Sequence, residues 1–374
     1  MPTSPVRPLP QVGDPVASID TPALVVDLDA MDRNIAAMAA FARANGVRLR
    51  PHAKMHKSAF VAARQIAAGA VGVCVQKTSE AEALADVGVD DIYISNEVIA
   101  PAKLARVAAL AKRVTMAIAV DSLPGIDRLA AAMRSAGATI DVFVEIDVGQ
   151  ERCGVPPGRA GELARRIVSH GLRFAGLQAY HGGAQHLRTF DRRKAAIAAA
   201  ITAVRTAQAS LAAEGIACPL VTGAGSGTFA LETASGVWGE LQCGSYVFLD
   251  RDYADNESTP GAPAFEHALF VKSQVISRDD THAVVDAGHK SHAIDSGLPT
   301  VWGHDLTFTN GGDEHGIVHA RGDAVPALGE TVWLVPGHCD PTVNLHDRCV
   351  GVRGGLEGGA VETVWAVDAR GCVT

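Results

Sequence analysis

The stretch ALVVDL (residues 23–28), followed by DAMDRNIAAMAAFARAN (29–45), Gly46 and VRLR (47–50), decides the fold class. The first run is short and apolar and predicts a strand. The second is amphipathic, alanine-rich and closed by a glycine, which predicts a helix that ends at Gly46. VRLR predicts the next strand. Strand, helix and strand in this order is the repeating unit of a parallel sheet.

The same alternation continues to about residue 247. Further strands are predicted at residues 71–76, 91–95, 114–120, 140–147, 174–180 and 220–222. Helices are predicted between them at residues 57–70, 79–87, 101–111, 123–136, 157–170 and 189–214. Together with 23–28 and 47–50 these strands number eight, which favours an N-terminal (β/α)8 barrel over residues 22–255. An open, doubly wound sheet is the alternative.

The sequence pattern changes after residue 255. Residues 256–263, NESTPGAP, resemble a linker, and the helical periodicity then disappears. Short β runs between glycine turns follow at 268–277, 283–287, 331–335, 349–352 and 361–366. This pattern predicts a C-terminal antiparallel β domain over residues 264–374. Residues 1–21 precede the barrel and are expected to join that domain.

Composition limits the classes of function. The net charge of −8 argues against a nucleic-acid partner, because no basic face is implied that would neutralise phosphates. The seven cysteines are dispersed without CxxC pairs, which indicates free thiols in a reducing compartment. The polar, proline-rich start lacks an apolar signal core, and no apolar run was expected to approach the ~20 residues of a membrane helix. We therefore expect a cytoplasmic enzyme without a membrane partner.

The octapeptide RPHAKMHK (residues 50–57) places Lys54 between two histidines at the end of a predicted strand. A lysine becomes nucleophilic when burial and neighbouring cations lower its pKa. His52, His56 and Lys57 are such neighbours, so Lys54 is a candidate Schiff-base former. The alternative is a solvated basic strand end.

Polar groups recur where the other predicted strands end. Active-site residues of parallel α/β barrels lie at these carboxyl ends of the strands. These residues are Gln76, Asn96, Asp147, Arg152, Tyr180 and His181. The turn GAGSGT (223–228) offers consecutive N–H groups and hydroxyls for a phosphate, with Gly225, Gly227 and Thr228 as candidates. Gly244, Ser245 and Tyr246 form a second such cluster. A tight structural turn is the alternative.

His338-Cys339-Asp340 is the strongest metal candidate. On a strand or extended loop, residues i and i+2 project to the same side. His338 and Asp340 would then hold one ion through nitrogen and oxygen, which suits Mn, Mg or Zn. A polar turn is the alternative.

These motifs together resemble the D-threonine aldolase family of the alanine racemase-like pyridoxal-phosphate enzymes. The resemblance runs from residue 20 to residue 371. It is carried by residues 50–54, 72–77, 147–154, 178–182, 241–246, 313–316 and 338–342. It implies the barrel and β domain, a Schiff base at Lys54, a divalent ion on His338 and Asp340, and a homodimer.

The resemblance also implies a reaction. A D-3-hydroxy amino acid would be cleaved to glycine and an aldehyde, with His186 as the base for the 3-hydroxyl proton. Tyr180 would meet the pyridine nitrogen and Arg152 the 3-oxygen side. Cys339 and the segment 295–297 are similar to the 3-hydroxy-D-aspartate aldolases. The D-serine and hydroxyaspartate dehydratases, an amino-acid racemase and a non-enzymatic pyridoxal-phosphate carrier are the alternatives.

Overall fold

The computed structural model describes residues 9–374, and its chain forms two compact units. One, here called the β unit, comprises the described residues up to Asn34, Val247–Asp252 and Phe265–Arg370. The other, the barrel unit, comprises Ile35–Tyr246, Tyr253–Ala264 and Gly371–Thr374.

The strands of the described chain are β1 (Ala23–Asp27), β2 (Arg48–Leu49), β3 (Val73–Val75), β4 (Asp91–Ile94), β5 (Thr115–Val120), β6 (Asp141–Glu145), β7 (Arg173–Ala179), β8 (Val221–Gly223), β9 (Glu240–Leu241), β10 (Leu269–Arg278), β11 (His282–Val285), β12 (Thr300–Val301), β13 (Leu306–Asn310), β14 (Gly316–Ala320), β15 (Thr331–Val335), β16 (Arg348–Arg353) and β17 (Ala360–Ala366). The helices are α1 (Leu28–Ala44), α2 (Ala59–Ala67), α3 (Thr78–Asp86), α4 (Pro101–Leu110), α5 (Leu123–Ala136), α6 (Ala160–Ser169), α7 (Phe190–Ala213), α8 (Phe229–Ala234), α9 (Arg251–Ala254) and α10 (Cys339–Leu345).

Eight parallel strands form the barrel sheet in the order β2-β9-β8-β7-β6-β5-β4-β3. A parallel bridge between His52 and Cys74 joins the two ends of this order, with Ala53 N–H donating to the Cys74 carbonyl at 2.7 Å. The predicted parallel α/β barrel is therefore confirmed. Its strands are buried on both faces because the helices cover the outside of the sheet.

Local sequence signals begin and end the barrel helices. The Ser58 hydroxyl accepts the Phe60 N–H at the start of α2, and the Ser122 hydroxyl accepts the Gly125 N–H at the start of α5. Gly137 then ends α5 in the left-handed conformation, at φ 61°. The sequence thus determines where these helices start and stop.

The prediction that residues 23–28 form the first barrel strand is wrong. β1 pairs antiparallel with β10 and parallel with β16, inside the other sheet. The eighth barrel strand is β9, which directly precedes the second predicted phosphate cluster and was not predicted as a strand. An apolar run predicts a strand but does not specify its partner, since pairing depends on contacts distant in sequence.

The β unit contains a nine-stranded, largely antiparallel sheet. Within the described start of the chain, Gly13 N–H donates to the Val361 carbonyl at 2.8 Å, and Val16 is buried in the core of this unit. The hairpin of β13 and β14 was not predicted from sequence, because threonine, asparagine and histidine interrupt its apolar pattern. The predicted β domain is confirmed as a fold class.

Helix α7 qualifies the expectation about membrane segments. By length and composition alone it is apolar enough to cross a membrane, since it has 24 residues and an 18-residue window within it has a mean hydropathy of 1.3. Its alanines raise this value, although Asp191, Arg192, Arg193 and Lys194 lie in its first two turns.

Candidate active site

Lys54 lies on a half-buried turn directly after β2. Its N–H donates to Nδ1 of His52 at 3.3 Å. Nε2 of the same ring contacts the Gln76 side-chain amide at 2.9 Å and the Ser95 hydroxyl at 3.2 Å. Three strand ends, those of β2, β3 and β4, therefore converge on one buried imidazole. His52 and Ser95 hold the backbone that carries Lys54, and the sequence interpretation assigned neither of them this role.

Lys57 has a different environment from the one expected. Its ammonium group pairs with Glu80 at 2.7 Å, and both side chains are buried. The other Glu80 oxygen accepts the backbone N–H groups of Gln76 and Lys77 at 2.9 and 3.1 Å. Because Glu80 compensates its charge, Lys57 is a weak source of the pKa lowering expected at Lys54. That lowering stays a prediction.

Two glycine turns in the barrel unit form what we call the cradle, residues 223–228 and 243–246. They are joined by Gln242 N–H donating to the Gly223 carbonyl at 2.7 Å and by Tyr246 N–H donating to the Ser226 hydroxyl at 3.0 Å. A Cβ at Gly244 would lie 3.0 Å from the His52 carbonyl, so this turn packs against the Lys54 turn.

The cradle has N–H groups available for an anion. Within residues 9–374, the N–H groups of Gly225, Ser226 and Gly244 donate to no other protein group. Gly225 is buried, and buried N–H groups are rarely left without an acceptor. The Thr228 hydroxyl, by contrast, donates to Glu232 at 2.7 Å, and the Gly227 N–H donates to Gln185 at 2.9 Å. Of the predicted phosphate contacts, Gly225 and Gly244 thus have a backbone N–H that is available within residues 9–374, whereas Gly227, Thr228 and Tyr246 use theirs in internal hydrogen bonds.

The loop after β6 places Arg152. One Asp147 carboxylate oxygen accepts the N–H groups of Gly149, Gln150 and Glu151 at 2.9 to 3.1 Å. Burial alone would raise the pKa of Asp147, but these hydrogen bonds outweigh it and lower the pKa. The Arg152 guanidinium lies 5.9 Å from the centre of the Tyr180 ring. The structure therefore brings the two predicted cofactor contacts together.

Glu145 is a buried acid at the end of β6 that the sequence interpretation did not identify. Burial and the charge of Glu97 raise its pKa, although Arg152 acts in the opposite direction. A carboxyl group that is buried beside another carboxyl group ionises with difficulty, so Glu145 keeps its proton at neutral pH. Glu145 is recognisable as a site residue only by its proximity to Arg152 in the folded chain, and no local sequence motif predicts that proximity.

The two histidines after β7 have different surroundings. His181 Nδ1 accepts the Ala184 N–H at 3.3 Å, and burial lowers the pKa of His181 although Asp147 opposes this. His186 ends the short 3-10 turn Gly182–His186, with its ring centre 5.9 Å from that of Tyr253. His181 therefore stabilises the turn, while His186 is presented at its far end.

In the β unit, Nε2 of His338 lies 3.8 Å from Oδ1 of Asp340. The expectation of an extended segment is wrong here, because α10 begins at Cys339 and His338 is the residue that precedes it. Asp295 contacts Nδ1 of His338 at 2.6 Å, which leaves Nε2 directed towards Asp340. Burial would lower the pKa of His338, but Asp340, Asp295 and Asp250 outweigh it and raise the pKa.

The described residues 9–374 contain no group of three or more His, Cys, Asp or Glu side chains arranged to hold an ion. The His338–Asp340 pair nevertheless fits a two-ligand site, since it combines one nitrogen with one carboxylate oxygen. Asp295 was noticed in the sequence only as a feature similar to one subfamily, and its contact with the histidine was not predicted.

The comparisons with known proteins agree with this architecture. The family profile "Alanine racemase, N-terminal domain" matches residues 26–252, and "Putative serine dehydratase domain" matches residues 268–352. A solved D-threonine aldolase from Filomicrobium marinum superposes with a TM-score of 0.95 at 50% identity, covering 98% of this chain and 100% of that one.

Two relatives are similar over nearly the whole length. A 3-hydroxy-D-aspartate aldolase from Paracoccus denitrificans (strain Pd 1222) is 46% identical over 95% of this chain and 93% of its own. A D-threonine aldolase from an Arthrobacter species is 46% identical over 96% of this chain and 95% of its own. With this fold, this site and these similarities, the chain belongs to the alanine racemase-like family that includes the D-threonine and 3-hydroxy-D-aspartate aldolases.

Proposed function

We propose that the protein is a pyridoxal-phosphate aldolase that cleaves D-3-hydroxy amino acids to glycine and an aldehyde with the help of a divalent metal ion. The observation that carries the proposal is the similarity, over almost the full chain, to aldolases of both substrate types.

The residues of the barrel unit fit pyridoxal phosphate. Lys54 supplies an amino group at a strand end, and the unpaired N–H groups of Gly225, Ser226 and Gly244 suit its phosphate. Arg152 and Tyr180 would face the ring, and Gln76 would support it through His52. When bound, the cofactor supplies an electron sink for the bond that breaks next to the amino carbon.

The chain's own residues then divide the work of the reaction. His186 takes the proton of the 3-hydroxyl, whose oxygen becomes the carbonyl of the aldehyde as the Cα–Cβ bond breaks. His338 and Asp340 would hold the ion, Mn, Mg or Zn, which supplies Lewis acidity towards the substrate oxygen. Asp295 keeps Nε2 of His338 available as a ligand.

Dehydration is the second candidate, because the profile matched by residues 268–352 is that of a putative serine dehydratase domain. Aldol cleavage is preferred because the chain is 46% identical to each of the two aldolases and 32% identical to a D-threo-3-hydroxyaspartate dehydratase from a Delftia species.

Product analysis tests the proposal. Purified protein is incubated with D-threonine, L-threonine and 3-hydroxy-D-aspartate, with and without Mn²⁺. We expect glycine with acetaldehyde or glyoxylate from the D substrates only. A 2-keto acid with ammonia would establish dehydration, and cleavage of L-threonine would contradict the stereochemistry.

We also propose a homodimer in a cytoplasmic compartment. All seven cysteines are free, which supports a reducing environment. Size-exclusion chromatography with light scattering would give twice the chain mass of 38.8 kDa, and a single chain mass would contradict the dimer.

A further inference from the structure

Gln185 belongs to the turn Gly182–His186, and its side chain is fully buried against the cradle, with an exposed fraction of 0%. It directly precedes His186, and the proposed mechanism does not use it. A buried amide is costly unless its polar atoms are hydrogen-bonded. The partners of Gln185 therefore indicate what it holds together.

Both ends of the Gln185 amide are engaged, and its partners lie on both loops. Nε2 donates to the His181 carbonyl at 3.1 Å and to the Thr228 hydroxyl at 2.8 Å. Oε1 accepts the Gly227 N–H at 2.9 Å. One side chain thus links the base-carrying turn to the cradle.

The glycines of the cradle provide the space for this side chain. A Cβ at Gly225 would lie 2.4 Å from Oε1 of Gln185, and a Cβ at Gly227 would lie 2.7 Å from its carbonyl oxygen. Neither glycine has a positive φ, so close approach explains them and conformational freedom does not. A side chain at Gly227 would meet the Gln185 backbone and separate the two loops, whereas one at Gly225 would displace the end of the Gln185 side chain.

A further contact fixes the backbone of the same residue. The Asn256 amide donates to the Gln185 carbonyl at 2.9 Å, and Arg188 donates to the Asn256 side-chain oxygen at 2.9 Å. On the cradle side, the Thr228 hydroxyl donates a hydrogen bond to Glu232. The Gln185 side chain is thus held at both ends.

We infer that Gln185 is a positioning residue through which occupation of the cradle by a phosphate group sets the position of His186. A phosphate that accepts the N–H groups of Gly225 and Ser226 restricts the turn to which Gln185 is bonded. Ordering one loop lowers the entropic cost of ordering the other when a shared side chain joins them. This inference rests on the proposed function, since it assigns a phosphate to the cradle and the base role to His186.

Hydrogen exchange in the cofactor-free protein tests the coupling without any substrate. Inorganic phosphate is the probe, and the amides of residues 182–187 are followed by mass spectrometry. We expect saturating phosphate to slow their exchange by roughly tenfold, which corresponds to stabilisation against local opening. In Gln185→Glu the carboxylate still accepts from Gly227 but cannot donate to His181 or Thr228, so phosphate should leave this exchange unchanged.

Two further variants complete the test. Thr228→Val removes the hydroxyl partner and should reduce the protection, which guards against a general effect of the new charge. Gln11→Glu adds the same charge at an exposed position and should behave as the unmodified protein. Far-ultraviolet circular dichroism and melting identify any variant that fails to fold.

The outcomes separate the possibilities. The inference is overturned if phosphate protects the turn in Gln185→Glu and Thr228→Val as strongly as in the unmodified protein. It is also overturned if phosphate gives the unmodified protein no protection. A loss of phosphate binding itself in Gln185→Glu, measured by calorimetry, would make Gln185 a part of the cradle and also overturn it. In the loaded enzyme, Gln185→Glu should lower kcat and leave KM little changed. If product analysis shows no aldol cleavage while phosphate still protects the turn, the proposed function fails and the coupling stands.

Discussion

At the scale of single residues, Lys54 depends on a buried imidazole for its position. The His52 ring accepts the Lys54 N–H and is itself contacted by Gln76 and Ser95. Lys57 is engaged with Glu80, and Lys77 is exposed. Of these three lysines, Lys54 is therefore the best candidate for attachment of the proposed cofactor.

Replacing Lys54 by alanine should therefore abolish the visible absorbance of the bound cofactor after dialysis. Lys112→Ala, at an exposed position, is the control and should retain the band. An unchanged spectrum in Lys54→Ala would reject the assignment and direct attention to Lys57 and Lys77.

The two histidines after β7 lead to a second prediction. We expect His186→Ala to lower turnover by about a hundredfold or more, the usual range for a lost acid–base group, with cofactor and metal content little changed. His181→Ala should instead weaken the 3-10 turn, since its ring accepts the Ala184 N–H. The exposed His304→Ala serves as the control. Near-normal turnover in His186→Ala together with a collapse in His181→Ala would reverse the roles.

At the scale of elements, the short helix α8 carries a buried acid behind the cradle. Burial raises the pKa of Glu232 from 4.5 to about 7, although the Thr228 hydroxyl acts against this. The folded state therefore binds the proton more tightly than the unfolded chain does. Its contribution to stability is full below pH 4.5 and is lost as the pH rises through about 7.

Glu232→Gln should consequently raise the unfolding free energy of the cofactor-free protein at pH 8, by up to about 3 kcal/mol relative to the unmodified chain. The gain should shrink towards zero near pH 5, because Glu232 is then protonated in the folded state. Urea unfolding at both pH values measures it, with the exposed Glu357→Gln as control. A gain that does not vary with pH would contradict the assignment.

At the scale of the whole molecule, the residues proposed for the cofactor and for the metal ion fall in different units. The proposed cofactor contacts belong to the barrel unit, and the His338–Asp340 pair belongs to the β unit. His338→Ala, Asp340→Ala and treatment with a chelator should each abolish cleavage while the cofactor band persists. Mn²⁺ should restore activity only in the chelated, unmodified protein. Full activity in metal-free protein would eliminate the Lewis-acid role.

The amino-acid sequence by itself determined the fold class, the helix ends and the strand-end polar residues. These follow from local properties, since apolar periodicity, caps and glycines act within a few residues. The same local pattern identified Lys54, the glycine turns and the His338–Asp340 pair as candidates.

Tertiary structure alone decided which residues meet. β1 belongs to the nine-stranded sheet, and β9 is the eighth strand of the barrel in its place. Strand pairing depends on partners that are distant in sequence. His52 on Lys54, Glu97 beside Glu145, Asp295 on His338 and Gln185 on Gly227 are likewise contacts between residues far apart or on different loops. Hydrogen bonds and charges act through space, so a local pattern in the chain does not predict these contacts.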